Sequence, residues 1–96
     1  MRIVWSPLAL RDRVAIYDHI EADSPRAAAD VDDRLAERIN GLLTFPKSGR
    51  PGRVEETREL VVTGTPYIVV YGLADDLIRI LRILHGAQRW PVDPAI

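Results

Sequence analysis

The fold of this chain is decided by its last third, Arg58-Glu-Leu-Val-Val-Thr-Gly-Thr-Pro-Tyr-Ile-Val-Val-Tyr-Gly-Leu-Ala-Asp-Asp-Leu-Ile-Arg-Ile-Leu-Arg-Ile-Leu-His85-Gly86. Three apolar runs, each typical of a β-strand, follow one another with turn residues between them, Gly64-Thr65-Pro66 and Ala74-Asp75-Asp76. The predicted strands cover residues 57–63, 67–73 and 76–85. Because such short connections join strands that run in opposite directions, we expect an antiparallel meander.

Two helices are predicted before the meander, and each begins with a serine followed by a proline. Ser6-Pro7 and Asp23-Ser24-Pro25 provide a capping hydroxyl and a proline at the first helical position. Apolar residues at helical spacing predict the buried faces, which are Leu10, Val14, Tyr17 and Ile20, then Ala28, Val31, Leu35, Ile39 and Leu42. The second helix is expected to stop before Pro46, and the short link between the helices implies an antiparallel hairpin.

The whole chain is expected to form one domain, residues 1–96, of the α+β class. A first strand at Arg2-Ile-Val-Trp5 precedes the helices, and a loop rich in Gly, Pro and charge occupies residues 46–56. The predicted order is therefore β-α-α-β-β-β, with the helical hairpin packed on one face of a small, mainly antiparallel sheet.

Composition excludes several classes of protein. No apolar run reaches the ~18–20 residues of a membrane span, and the N-terminus does not have the pattern of a signal peptide. The chain has no cysteine, which excludes disulfides and thiolate chemistry and favours a cytoplasmic location. The net charge of -1 does not predict nucleic-acid binding, although acids are concentrated in residues 7–45 and arginines in residues 46–92.

Basic residues interrupt the most apolar segments, where an unpaired guanidinium is costly. Metal-free RNA cleavage requires cations around the phosphate, an acid for the leaving oxygen and a base for the 2′-hydroxyl. The candidates are Arg58, Arg79 and Arg82 as cations, His85 as acid, and Glu55, Glu56 or Glu59 as base. In a regular strand Arg79 and His85 would share one face and Arg82 the other, unless a bulge intervenes.

Structural roles compete with these functional ones. Arg58 either forms an ion pair with Glu56 or a helix carboxylate, or contacts a phosphate. For Arg82 a structural ion pair is favoured. For His85 a ring bonded to the backbone or to Tyr71 is favoured over a general acid. No set of His, Asp or Glu has the spacing of metal ligands, so we expect no metal and no cofactor.

Several motifs in order resemble those of the RelE/ParE superfamily, the toxins of bacterial type II toxin–antitoxin pairs. They are Trp5-Ser-Pro-x-Ala9, Pro46-x-x-Gly49-Arg50, Thr57-Arg58-Glu-Leu60, Pro66-Tyr67-Ile-Val-Val-Tyr71 and Ile80-Leu-Arg82-Ile-Leu-His85-Gly86. The resemblance runs from Ile3 to about Trp90, and the ending Arg-Ile-Leu-His is closer to the ParE branch.

The resemblance implies a toxin whose partner is an antitoxin encoded next to it. ParE-type members poison DNA gyrase, which is the leading hypothesis, whereas RelE-type members cut mRNA on the translating ribosome. A third possibility is a degenerate module that only binds its antitoxin. The implied target-binding residues are Arg50, Arg53, Arg58, Arg89 and Trp90. Operator DNA would be contacted only through the antitoxin, which we expect along the helical hairpin, over exposed apolar residues such as Ile16, and along a sheet edge.

Overall fold

The computed structural model describes residues 1–86 and residue 90, and in them two helices pack on a five-stranded sheet. The elements are β1 (Arg2–Trp5), α1 (Pro7–Glu21), α2 (Pro25–Asn40), a 3₁₀ turn (Gly41–Leu43), β2 (Arg50–Pro51), β3 (Thr57–Val61), β4 (Tyr67–Ala74) and β5 (Leu77–His85). The sheet order is β1-β5-β4-β3-β2, in which β1 and β5 are parallel and the other pairs antiparallel. The predicted α+β class is confirmed.

Both helix starts form as the sequence predicts. The Ser6 hydroxyl accepts a hydrogen bond from the Ala9 N–H at 3.0 Å, and the Ser24 hydroxyl accepts one from the Ala27 N–H at 3.1 Å. These bonds satisfy helix donors that have no partner within the helix. The α2 helix ends at Asn40, before Pro46 as expected, and one 3₁₀ turn, Gly41–Leu43, follows it. Neither helix in the described part of the chain has the length and apolar character that crossing a bilayer requires.

The core lies between the helical hairpin and one face of the sheet, here called the helical face. The predicted stripe of α2 contributes to it, with Leu35 and Ile39 buried. The sheet contributes Leu60, Val62, Tyr67, Val69, Tyr71, Ile78, Ile80 and Ile83. Tyr67 and Tyr71 therefore pack in the core, as their shared face with Val69 predicts.

The predicted buried stripe of α1 is only partly correct. Leu10 and Val14 are 50% and 60% exposed, whereas Ala9 is fully buried and Ile16 packs against the core. Ile16 is thus not one of the exposed apolar residues of the hairpin. The rotation of α1 follows from polar contacts that periodicity does not register: the Asp12 carboxylate accepts a hydrogen bond from the Ile83 N–H at 2.9 Å. Since Leu10 and Val14 lie on the opposite side of the helix from Asp12, this contact turns them to solvent.

The strand bounds differ from the prediction in four places, of which two are shifts of one residue: β4 ends at Ala74 and β5 begins at Leu77. The β3 strand ends at Val61, since Val62 already belongs to the turn, where its carbonyl accepts from the Thr65 N–H. A short strand, β2, pairs Arg50 with Glu59 and Pro51 with Arg58 inside the stretch predicted as a loop. Proline is tolerated there because β2 is an edge strand.

Candidate functional site

A β-bulge in β5 decides which faces its basic residues occupy. Tyr71 pairs with Ile80 and Val70 pairs with Arg82, so Leu81 is an extra residue in β5. The bulge places His85, which pairs with Tyr67, on the helical face. Arg79 and Arg82, which pair with Gly72 and Val70, lie on the opposite face. The expectation that Arg79 and His85 share a face held only for a strand without a bulge, and the bulge separates them; Arg82 and His85 lie on opposite faces as expected.

Arg82 is held by a carboxylate of α1. Its Nε and Nη2 atoms donate to the two oxygens of Asp12 at 2.7 and 3.0 Å, and both side chains are only 16% exposed. The hydrogen bond to Asp12 raises the pKa of Arg82, which stays charged. The predicted structural pairing of Arg82 is confirmed. The Cζ atom of Arg82 also lies 5.7 Å from the centre of the Trp90 ring, a cation–π contact.

Arg58 binds backbone carbonyls in the loop that follows α2, here called the Phe45 loop and defined as residues 44–49. Its Nη1 atom donates to the Gly49 oxygen at 2.8 Å and to the Lys47 oxygen at 3.3 Å. An ion pair of Arg58 with Glu56 or a helix carboxylate, one of the two expected roles, does not form in the described residues. Among residues 1–86 and 90 its guanidinium thus lies beside the loop without a carboxylate partner.

The hydroxyl of Tyr71, a residue of the core, also holds the Phe45 loop in place. It donates to the Pro46 carbonyl at 2.7 Å and accepts from the Gly49 N–H at 2.9 Å. Gly49 is needed for this approach, because an added Cβ would lie 2.7 Å from the Tyr71 ring. The motif Pro46-x-x-Gly49 thus folds directly onto the last residue of the motif Pro66-x-x-x-x-Tyr71.

Glu59 is a buried carboxylate, 2% exposed, that binds two of the predicted target-binding arginines. Arg53 donates to it from Nε at 3.1 Å and from its backbone N–H at 2.8 Å, and Arg50 donates from Nη2 at 3.4 Å. Burial alone would raise the pKa of Glu59, but these hydrogen bonds together hold it below its ordinary value. Arg50 and Arg53 keep large exposed surfaces, whereas Arg89 lies outside the described residues.

The candidate catalytic groups do not converge on one point. In the sheet Arg58 lies opposite Tyr71, and His85 lies opposite Tyr67, which is four residues before Tyr71 in β4. That spacing corresponds to about 13 Å of extended strand. Arg82 faces away from His85, and Arg79 is exposed near the opposite end of β5. His85 packs edge-on against Tyr67, with ring centres 5.9 Å apart, and not against Tyr71.

Sequence reasoning missed three residues that shape this region. Asp12 carried no signal, because a single acid on a charged helix predicts an exposed surface. Tyr71 was predicted in the core, but its hydroxyl bonds to the loop are visible only in three dimensions. Phe45 is 69% exposed, although an isolated phenylalanine before a proline is ordinarily expected in the core.

Comparison with known proteins gives one consistent result. Residues 3–90 match the family described as the ParE toxin of the type II toxin–antitoxin system parDE. The chain is 44% identical over 90 residues to Y4kP of Sinorhizobium fredii, whose name describes a candidate toxin, with 94% of this chain and 93% of that protein covered. It is 40% identical over 87 residues to toxin RelE2 of Caulobacter vibrioides, covering 91% and 97%.

A solved structure is also similar. It is described as the chromosomal ParDE toxin–antitoxin system of P. aeruginosa, and it superposes with a TM-score of 0.77 at 29% identity. The match covers 86% of this chain and 92% of that chain. Fold and sequence comparisons therefore agree over nearly the whole described chain.

Proposed function

Because the chain belongs to the ParE toxin family of type II toxin–antitoxin systems, we propose that it inhibits DNA gyrase by binding to it. The toxin acts in the cytoplasm and is neutralised there by a cognate antitoxin encoded next to it. It reaches operator DNA only through that antitoxin.

The separation of the basic side chains from one another is the observation that favours binding over RNA cleavage. A phosphate under attack needs its cations, acid and base within hydrogen-bond reach of one another. Here Arg58 is committed to loop carbonyls, and Arg82, which lies on the sheet face opposite His85, is committed to Asp12. The carboxylate of Glu59 is already bound by Arg50 and Arg53. The arrangement of the basic residues therefore favours a binding surface over the active site of a ribonuclease.

A ribosome-dependent ribonuclease is the second candidate, and one observation favours it. The relative from Caulobacter vibrioides is named toxin RelE2, and RelE is the branch to which mRNA cleavage belongs. In that case His85 would supply the acid, with Arg58, Arg79 or Arg82 as the cations.

The antitoxin is proposed to cover α1. Leu10 and Val14 are exposed neighbours one turn apart, and such an apolar pair on a helix is a docking site for an amphipathic segment. A neutralising complex must be long-lived, so we expect a total interface well above ~1,000 Å². Among the described residues β1 is the outermost strand on its side of the sheet, and its outer edge, beside the start of this helix, is where a second part of the antitoxin can pair.

One experiment separates the two candidates. The toxin, freed from its antitoxin, is added to gyrase in a DNA supercoiling assay and, in parallel, to a translating ribosome extract. The proposal expects loss of supercoiling and intact mRNA. Codon-specific cuts in the mRNA with supercoiling unaffected would establish the ribonuclease instead. Normal growth of cells that contain much soluble toxin and no antitoxin would contradict both.

A further inference from the structure

The Phe45 loop combines a fixed backbone with exposed apolar side chains. Leu42, just before it, is fully buried, yet Leu43 is 48% exposed and Phe45 is 69% exposed. The side chains of Leu43 and Phe45 thus point toward solvent, whereas the side chain of Leu42 lies in the core. A large apolar side chain left in water on a rigid surface marks an interaction site more often than a scattered exposed residue does.

The loop is fixed from inside by side chains of two strands. The Tyr71 hydroxyl bonds to Pro46 and Gly49, the two ends of the sequence motif, at 2.7 and 2.9 Å. Arg58 bonds to the carbonyls of Lys47 and Gly49. Four hydrogen bonds across six residues leave the loop little freedom to lose when a partner binds, and such preorganisation lowers the entropic cost of association.

Charge beside the loop narrows the chemistry of the partner. Lys47 and Arg58 carry positive charges that no carboxylate among residues 1–86 and 90 neutralises in an ion pair. The surface formed by Thr44, Phe45, Pro46, Lys47 and Ser48 is otherwise mostly apolar. A fitting partner therefore has an apolar pocket for an aromatic ring, with a carboxylate at its rim.

We propose that the Phe45 loop binds the target protein of the toxin. Phe45 is the anchor, which inserts into an apolar pocket of the target, and Lys47 forms an ion pair with an acidic residue at the rim of that pocket. This inference rests on the proposed function, since it assigns part of the gyrase-binding surface. Tyr71 and Arg58 act as positioning residues for the anchor. The antitoxin surface at Leu10 and Val14 is separate from it.

The test measures binding of toxin variants to purified gyrase and to the antitoxin. Aromatic anchors in fixed pockets dominate interface energies, so Phe45→Ala should weaken gyrase binding at least ~10-fold and reduce supercoiling inhibition in parallel. Lys47→Glu should also weaken gyrase binding, because it reverses the charge that pairs with the acidic residue of the partner. Tyr71→Phe should weaken it by a few fold, through loss of loop positioning. The matched control is Leu8→Ala, another exposed apolar residue, which should leave gyrase binding unchanged.

The affinity of Phe45→Ala for the antitoxin should be unchanged. This measurement serves as the check that the variant is folded. Phe45→Ala that binds and inhibits gyrase as wild type does would overturn the inference and leave the proposed function standing. Wild-type toxin that does not bind gyrase at all would contradict the proposed function itself. Loss of oligonucleotide binding or of self-association in Phe45→Ala, with gyrase binding intact, would also overturn the inference, because the anchor would then serve a nucleic acid or a second copy.

Discussion

The carboxylate of Asp12 and the guanidinium of Arg82 join α1 to β5 through two hydrogen bonds, although 70 residues separate them in the chain. The same carboxylate accepts a third bond from the Ile83 N–H, next to the bulge. This cluster sets how α1 is rotated on the sheet, and thereby which apolar residues it exposes. It also removes Arg82 from the set of cations that a substrate could use.

Removing the Asp12 carboxylate should destabilise the fold strongly. Asp12→Ala removes the carboxylate that neutralises a mostly buried guanidinium and accepts a backbone N–H, which should cost about 2–4 kcal/mol in the free energy of unfolding. The matched control is Asp32→Ala, which breaks the Arg13–Asp32 pair, also bidentate but about twice as exposed. That pair should contribute at most about 1 kcal/mol. Urea denaturation of the purified toxin measures both, and equal losses would contradict the role given to Asp12.

Stability should fall in acid because of Glu59. Its pKa is lower in the folded protein than its ordinary value of 4.5, so its contribution is complete above pH 4.5 and is lost as the pH falls through the lowered pKa. Asp32, whose pKa the Arg13 hydrogen bond lowers, adds an effect of the same sign at lower pH. Urea unfolding at several pH values below neutral should show a smaller acid slope for Glu59→Gln. Glu55→Gln, at an exposed glutamate in the same region, is the control for the substitution itself and should be as stable as wild type at neutral pH.

Two glycines should respond oppositely to alanine. Gly49→Ala forces a Cβ to within 2.7 Å of the buried Tyr71 ring and 3.1 Å of the Glu59 carbonyl, so we expect a loss of about 1–3 kcal/mol. Gly41→Ala meets nothing within 4 Å at a helical φ of -60°, and should be neutral or stabilise by up to about 1 kcal/mol. Thermal unfolding of the two variants compares them directly. A neutral Gly49→Ala would show that the contact of the loop with Tyr71 is not tight.

Local signals in the sequence were sufficient for the order of the two helices and the four longer strands, since caps, prolines and apolar runs specify them without tertiary contacts, but they missed the short strand β2. They failed where a long-range polar contact decides the outcome. Periodicity placed Leu10 and Val14 inside, but the bonds of Asp12 to β5 turned them outward. The bulge at Leu81 likewise has no signature in an uninterrupted apolar run, so alternation assigned Arg79 to the wrong face.

The exposed pair on α1 should be needed for neutralisation. Leu10→Asp places a charge in the proposed antitoxin interface without touching the core, and should weaken the complex at least ~10-fold. Leu8→Asp is the control, because residues two positions apart on a helix face different directions. Co-expression with the antitoxin measures the effect in cells, where Leu10→Asp should restore toxicity and Leu8→Asp should not. Full protection of cells carrying Leu10→Asp would place the antitoxin elsewhere.

His85→Ala should leave toxicity intact. In a gyrase inhibitor the role of the ring is structural, and loss of its edge contact with Tyr67 should cost about 0.5–1.5 kcal/mol of stability. In a ribonuclease the same change would remove the general acid and slow cleavage by ~10²–10⁴-fold. Growth arrest, gyrase supercoiling and mRNA integrity should therefore be compared for wild type and His85→Ala at equal soluble expression, with antitoxin binding as the check on folding. Loss of toxicity together with loss of codon-specific mRNA cuts, in a variant that still binds its antitoxin, would refute gyrase binding as the mechanism and identify His85 as a catalytic residue.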